Sequence, residues 1–239
     1  MLLWTMFQPM SIYRIVDTGP DFLVVYKSPG TNMHFQGQTP GLCALVREDL
    51  RMPALWPVHR LDQDTSGLVL LATTKNAARD LGLLFQNQQV NKFYLALTDK
   101  TPKKKHGLIQ GDMQRSRRKT WKLCRSLHSP ARTQIIARSV ILGLRLVVLR
   151  PLTGKTHQLR VAMKALGAPI LGDRLYHEQV YPWPDRLYLH AHTLCFTFRG
   201  QQWTFCCPPD EGQYFSHEKI RQGVQDLGSL VDLPWPALG

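Results

Sequence analysis

The sequence predicts an α+β fold whose sheet is largely antiparallel, and three observations lead to this fold class. Short apolar and alternating runs recur along the chain, separated by turn-forming Gly, Pro, Asn and Asp residues, as is typical of strands. Helical periodicity occurs in only a few interspersed segments, whereas a parallel sheet needs a helix between successive strands. The length of 239 residues and the hydrophobic content of 44% suit one globular domain with a sizeable core.

In the first half of the chain, the residue pattern predicts four strands and two helices. The strands are expected at residues 13–16, 22–26, 68–72 and 93–97. A short helix is expected at residues 42–50. Thr74 is a suitable N-cap for a second helix. The apolar stripe of that helix consists of Ala77, Ala78, Leu81, Leu84 and Phe85.

The second half of the chain continues the same alternation of strands and short helices. Strands are expected around residues 133–137, 144–149, 187–198 and 202–206. A helix over 156–166 would end at Gly167, in the C′ position that glycine favours, and a terminal helix is expected over 213–227. We therefore expect one domain at 11–225, between an N-terminal extension at 1–10 and a frayed C-terminal tail at 226–239.

The charge balance indicates a polyanionic partner. The chain has 30 Lys and Arg residues against 17 Asp and Glu, which gives a formal net charge of +13. Lys and Arg side chains bind phosphate groups with release of counterions. Nine basic residues and one acidic residue lie between positions 103 and 125. This segment is expected to contact nucleic acid, although a solvated basic loop would have the same composition.

Other classes of protein fit the composition poorly. It is too apolar and too varied for intrinsic disorder, a coiled coil or collagen. No apolar run approaches the ~18 residues of a membrane span, and the opening MLLWTMF lacks the basic flank of a secretory signal. Five scattered cysteines suit a reducing compartment, so we expect a cytoplasmic protein. A zinc site at His190 and His192 is the alternative, but no metal-site spacing supports it and none is expected.

Three segments carry the candidate chemistry. Residues 58–67, with the sequence VHRLDQDTSG, place charges directly before a buried strand, which is unfavourable unless the charges are paired or functional. Residues 151–160, PLTGKTHQLR, lead from a strand into a helix, where Arg160 is able to reach a neighbouring carboxylate. Residues 186–191, RLYLHA, begin a strand. Taken singly, the three have ordinary explanations: a structural ion pair, a surface arginine and a core strand.

Together these segments resemble the signature of the RluA-type family of RNA pseudouridine synthases. The family's H-R-L-D-x-x-T-S-G element is similar to residues 59–67, and its P-L/I-T-G-R-T/S-H-Q-L-R element is similar to residues 151–160. Its shorter K-x-Y-x-A, G-x-P-I-x-G-D and L-H-A elements occur in the family's order at residues 92–96, 167–173 and 189–191. Lys155 departs from the usual Arg, and Ala162 from a frequent His. A separate N-terminal S4-like module is not expected.

The resemblance implies a pseudouridine synthase fold, in which a mixed, mostly antiparallel sheet is flanked by helices and loops around a central RNA-binding cleft. It implies that a uridine in structured RNA is converted to pseudouridine without a cofactor. The base is detached from C1′, rotated and rejoined through C5. Asp62 would be the catalytic carboxylate, with Arg160 as the partner that keeps it charged. Tyr94 would stack on the uracil, and Leu189 would close the other side of the slot.

Further roles follow from the need to flip the base out of an RNA stack. The resemblance assigns to Arg60 the space that the base leaves, while His59 and Thr65 complete the substrate-binding loop. Phosphate contacts are expected from six basic residues: Arg115, Arg117, Arg118, Lys119, Lys155 and Lys164.

The expected partner is an rRNA or tRNA stem-loop, and the expected state is a monomer. A catalytically silent RNA-binding or ribosome-assembly factor with the same fold is the alternative. The joint presence of Asp62, Tyr94 and Arg160 favours the enzyme, because a protein that only binds RNA needs no such carboxylate.

Overall fold

A computed structural model describes residues 12–117, 120–178 and 182–237. Its strands are β1 (Tyr13–Gly19), β2 (Phe22–Lys27), β3 (Trp56–Pro57), β4 (Ser66–Ala72), β5 (Asn91–Thr98), β6 (His106–Gly111), β7 (Met113–Arg115), β8 (Trp121–Leu123), β9 (Ala131–Ile141), β10 (Leu144–Pro151), β11 (Leu189–Phe198) and β12 (Gln201–Cys206). Its helices are α1 (Leu42–Asp49), α2 (Lys75–Gln86), α3 (Gln158–Ala165) and α4 (Glu218–Gln225).

Most of these strands form one sheet. In the described part of the chain, ten strands belong to it, in the order β1-β2-β4-β11-β5-β10-β9-β6, with β12 paired to β11 and β3 paired to β4. β7 and β8 form a separate hairpin. Among the described pairings only β4–β11 is parallel. The predicted α+β fold with a mixed, mostly antiparallel sheet is therefore confirmed.

The parallel pair at the centre of the sheet requires a glycine. Gly67 has a φ of +113°, and a Cβ placed on it would lie 2.2 Å from the carbonyl oxygen of Ala191. A residue without a side chain allows β4 and β11 to approach closely here. The loop that precedes β4 is thereby held beside the first residues of β11.

Apolar side chains cover both faces of the sheet, because most of its strands are apolar almost throughout. Helices α1, α3 and α4 pack on one face through Leu42, Met163 and Ile220. On the other face, α2 and an aromatic group cover the sheet. The rings of that group meet largely edge to face, and they are Phe22, Phe196, Phe198, Trp203 and Phe205.

Helix α3 and the terminal helix α4 are shorter than predicted. α3 begins at Gln158 instead of position 156, because His157 has left-handed backbone angles (φ 57°, ψ 16°) and cannot belong to the helix. Its end agrees with the prediction, since Gly167 has a φ of +72°. The terminal helix covers Glu218–Gln225, with the His217 side chain accepting a hydrogen bond from the Lys219 amide at 3.2 Å.

The basic segment and the C-terminal tail contain structure that the sequence pattern does not predict. The basic segment forms β6 and the β7–β8 hairpin. The expectation of a frayed tail is wrong for residues 226–237, because Leu227 and Leu230 are buried and the Trp235 ring lies 5.5 Å from that of Phe93. None of the helices in the described ranges has the length and apolar character that crossing a bilayer requires.

Candidate active site

A cavity of about 390 Å³ lies where the candidate segments meet. Its walls come from the loop before β4 (residues 58–62 and 65), from β5, and from residues 151 and 153–160 at the junction of β10 and α3. Residues of α2 and Leu189 of β11 complete it. Stretches that are far apart in the sequence therefore contribute to one site.

Asp62 and Arg160 face each other in this cavity. An Nη1 atom of Arg160 lies 3.5 Å from Oδ2 of Asp62. The Arg160 side chain is only 6% exposed, whereas that of Asp62 is 21% exposed. The carboxylate thus lies beside a positive charge and remains accessible from the cavity.

A second carboxylate, Asp173, holds Arg160 from the other side, and the sequence argument did not assign it a role. Nε and Nη2 of Arg160 donate to the two Asp173 oxygens at 2.7 and 2.8 Å. Asp173 also accepts hydrogen bonds from the backbone amides of Leu175 and Tyr176. Burial is the largest single effect on Arg160 and acts to lower its pKa. The hydrogen bond and the charge of Asp173, together with the charge of Asp62, outweigh burial, so the pKa of Arg160 is raised. The guanidinium is therefore charged and fixed in orientation.

Tyr94 and Leu189 provide the less polar part of the wall. Both are largely buried and both line the cavity. Their strands are neighbours, since Tyr94 on β5 pairs with Ala191 on β11. Burial and the charge of Asp62 raise the pKa of Tyr94, so its phenol is neutral near pH 7. The two side chains are placed to enclose a planar ring.

His59 is bonded to the protein rather than free for proton transfer. Its Nε2 atom accepts a hydrogen bond from the backbone amide of Leu70 at 2.9 Å, and its ring stacks on Phe85 with centroids 4.4 Å apart. Burial, followed by the charge of Lys92, lowers the pKa of His59 to about 3. The neutral ring ties the loop to β4.

Arg60 and Thr65 occupy different positions on the same loop. Arg60 is exposed at the cavity edge, whereas Thr65 is buried. The Thr65 amide donates to the Asp62 carbonyl at 3.1 Å, so that Thr65 closes the turn that carries the carboxylate.

A buried lysine supports this turn from below, and the sequence argument missed it. Lys27 ends β2 with no exposed surface, and its Nζ donates to the carbonyls of Ser28, Thr31 and Gln63 at 2.8–3.0 Å. Burial lowers the pKa of Lys27 to about 7, although nearby acidic groups oppose the shift. Gln63 follows Asp62 directly, so Lys27 fixes the backbone of the loop that carries Asp62. A lysine at the end of an apolar strand was the available signal.

The residues predicted to contact phosphate lie in three places: the β7–β8 hairpin, helix α3 and the wall of the cavity. Arg115 and Arg117 are exposed on the β7–β8 hairpin, with the Arg115 guanidinium 5.5 Å from the centre of the Trp121 ring. Lys164 is exposed on α3, whereas Lys155 lines the cavity and donates to the carbonyl and hydroxyl oxygens of Ser129. Two further predicted residues lie outside the described ranges: Arg118 and Lys119.

The histidines of β11 are bonded as structural groups. Nδ1 of His190 lies 2.8 Å from the Ser66 hydroxyl, and its Nε2 lies 2.7 Å from the Cys207 carbonyl oxygen. Nδ1 of His192 is bonded to Thr193. Within residues 12–117, 120–178 and 182–237, no three His, Cys, Asp or Glu side chains are grouped as metal ligands. This bonding favours the structural interpretation of His190 over the zinc alternative.

The cavity combines an accessible carboxylate, a fixed guanidinium, an aromatic side chain and further basic residues. This combination is typical of an enzyme that acts on a nucleic acid. The family model described as RNA pseudouridylate synthase matches residues 21–165, which is more than half of the chain. The protein therefore belongs to the RNA pseudouridine synthases, the isomerases that convert uridine in RNA to pseudouridine.

Individual relatives agree with this assignment. An uncharacterised RNA pseudouridine synthase of Haemophilus influenzae is 44% identical over 212 residues, which cover 89% of this chain and 94% of the relative. The dual-specificity RNA pseudouridine synthase RluA of Escherichia coli is 38% identical over 210 residues, covering 84% of this chain and 96% of the relative. The human RNA pseudouridylate synthase domain containing 1 has a similar structure, with a TM-score of 0.73, 28% identity and coverage of 94% and 97%. The resemblance to the RluA-type family is confirmed.

Proposed function

We propose that Asp62 is the catalytic carboxylate of this pseudouridine synthase. The observation that carries the proposal is the Asp62–Arg160 pair, in which a buried guanidinium lies 3.5 Å from a carboxylate that remains accessible in the cavity. Attack at C1′ of the ribose and removal of the C2′ proton both require a charged carboxylate. The guanidinium of Arg160 lies beside that carboxylate and orients it.

The other cavity residues have roles in holding the nucleotide. A volume of about 390 Å³ is within the range of small-molecule sites, and Tyr94 and Leu189 bound a slot for the uracil ring. Extrusion of a base from an RNA stack costs a few kcal/mol and is easiest in loops. Arg60, exposed at the rim, is suited to occupy the vacated position, since its planar cation stacks on bases.

The substrate is proposed to be a stem-loop of rRNA or tRNA, contacted by the β7–β8 hairpin and α3. The supporting observation is that Arg115 and Arg117 on the hairpin and Lys164 on α3 are exposed. We further propose that the enzyme acts as a monomer. The five free cysteines suit the cytoplasm. The target uridine is identified by mapping pseudouridines in RNA from cells with the gene and from cells without it, and by comparing the two maps.

Replacement of Asp62 by Asn tests the catalytic assignment. We expect Asp62→Asn to abolish tritium release from RNA labelled at C5 of uridine, because the amide is neutral, while RNA affinity changes less than about threefold. Asp64→Asn is the matched control, since Asp64 is exposed two residues further along the same loop, and it is expected to keep full activity. Tritium release by the Asp62→Asn enzyme at more than a few per cent of the normal rate would overturn the proposal.

A further inference from the structure

His157 lines the cavity beside Arg160, and the proposed reaction gives it no role. Its backbone is left-handed, with a φ of 57°. This conformation costs on the order of 1 kcal/mol or more for a residue other than glycine. Left-handed residues of this kind persist where surrounding contacts hold them, and they are frequent at functional sites.

The contacts of Tyr176 favour the His157 tautomer that carries its proton on Nε2. The hydroxyl of Tyr176 accepts a hydrogen bond from the backbone amide of Trp121 at 2.9 Å and lies 3.0 Å from Nδ1 of His157. Within the described residues its oxygen has no other partner, and donation of the hydroxyl proton to Nδ1 satisfies both groups. Nδ1 is then an acceptor, and a neutral ring must carry its own proton on Nε2.

The surroundings keep the ring neutral. Burial lowers the pKa of His157, and the guanidiniums of Arg160 and Arg60 act in the same direction, against the opposing charges of Asp62 and Asp173. In the described part of the chain, Nε2 has no hydrogen-bond partner, and it is not among the buried polar atoms that lack one. A fixed N–H group is therefore accessible on the wall that His157 forms.

We propose that Nε2–H of His157 donates a hydrogen bond to a carbonyl oxygen of the target uracil, and that Tyr176 is the positioning residue that fixes this donor. The proposal rests on the proposed function of the cavity. When the bond between C1′ and N1 breaks, its electron pair leaves with the base, and the negative charge spreads over the uracil carbonyl oxygens. A preorganised donor at such an oxygen stabilises the departing base more than the bound uridine.

Two substitutions at position 157 separate this role from a structural one. The amide nitrogen of Gln extends to the position of Nε2, whereas that of Asn extends only to that of Nδ1. We expect H157Q to keep kcat within about 10-fold and H157N to lose about 100-fold with KM unchanged, the size typical of a lost donor to a developing anion. A purely structural role predicts the reverse order, because Asn tolerates the left-handed conformation better than Gln. That reverse order, or equal activity of both variants, would overturn the proposal.

The acceptor is tested with transcripts in which the target uridine is 2-thiouridine or 4-thiouridine, since sulfur is a weak acceptor. We expect one of the two to reduce the difference between the wild-type and H157N rates. An equal difference with all three transcripts contradicts a carbonyl contact.

The role of Tyr176 has its own variant. Y176F is expected to lower kcat by about 2- to 10-fold without changing KM, because the neutral His157 ring then places its proton on either nitrogen. Y13F is the matched control, since Tyr13 lies on the edge strand β1 and its hydroxyl donates to Asp49 of α1. Unchanged kcat in Y176F removes the positioning role. The Asp62→Asn enzyme in the same assay separates the two proposals, since a dead D62N with a fully active H157N refutes only the role of His157.

Discussion

The two carboxylates that bind Arg160 differ in almost every physical respect. Asp173 has no exposed side-chain surface, and it makes two hydrogen bonds shorter than 3 Å to the guanidinium and two to backbone amides. Asp62 has one contact, at 3.5 Å, and is 21% exposed. A single arginine is therefore held by one carboxylate and faces another. The tight pair fixes the cation, and the loose pair leaves a carboxylate available to a substrate.

The largest expected effect is the loss of stability when Asp173 becomes Asn. A buried charge pair that loses one partner typically costs about 3–5 kcal/mol, because the remaining charge stays buried without compensation. The Asp62→Asn variant should lose less than about 1 kcal/mol, since its pair is long and partly solvated. Urea unfolding of the two variants at pH 7 measures both numbers. Equal losses would show that the two pairs do not differ as described.

The next prediction concerns β11, the strand that contributes Leu189 to the cavity. There the His190 side chain is buried and bonded within the protein, so it affects the pH dependence of stability. Burial is the main cause that lowers the pKa of His190 to about 3 in the folded protein, whereas an unfolded histidine titrates near 6.5. Between these values only the unfolded chain binds this proton, so the stability contributed by the neutral ring is present above pH 6.5 and lost as the pH falls.

We expect the stability advantage of the wild type over His190→Gln to shrink by about 1.4 kcal/mol per pH unit between about pH 6 and 4. Urea unfolding over this pH range measures it. The exposed His34 provides the control variant His34→Gln, whose difference from the wild type should stay constant. A constant difference for His190→Gln as well would show that the ring is not held neutral.

The smallest expected effect concerns the hairpin, where charges are exposed and act individually. Replacing Arg115 and Arg117 with Gln should weaken RNA binding and make the dependence of log K on log salt concentration shallower by about 1.5, with kcat unchanged. The control replaces the exposed Lys219 and Arg221 of α4. Filter binding at several salt concentrations measures the slope. An unchanged slope in the hairpin variant would place the RNA contacts elsewhere.

Part of the site was predictable because its residues lie in short contiguous motifs. The charge cluster before a buried strand and the arginine at a helix start were each compatible with an ordinary structural role, and it was the resemblance to the RluA-type family that singled out Asp62 and Arg160. Asp173 was noticed only as the last residue of the G-x-P-I-x-G-D element and received no role, because the loop between α3 and β11 has no periodicity that predicts a contact with the helix. Lys27 was missed because burial of a lysine depends on three carbonyl groups that only the folded loop brings together.

The fold shows the same division between local and distant determinants. Apolar strands such as β4 and the cap at Thr74, whose side chain accepts from the Ala77 amide, follow from sequence pattern. The strands of the basic segment are short and polar, so their pattern did not distinguish them from a loop. The packing of the tail depends on the contact between Trp235 and Phe93, which are far apart in the chain.

The order of strands in the sheet has a consequence for synthesis of the protein. β11 separates β4 from β5, although it follows β5 by about 90 residues in the chain. Pairings between such distant segments form late and slowly. A growing chain on the ribosome therefore contains Asp62 and Tyr94 well before β11 has been translated. Because Leu189 of β11 closes one side of the cavity, the complete cavity forms only after β11 has left the ribosome.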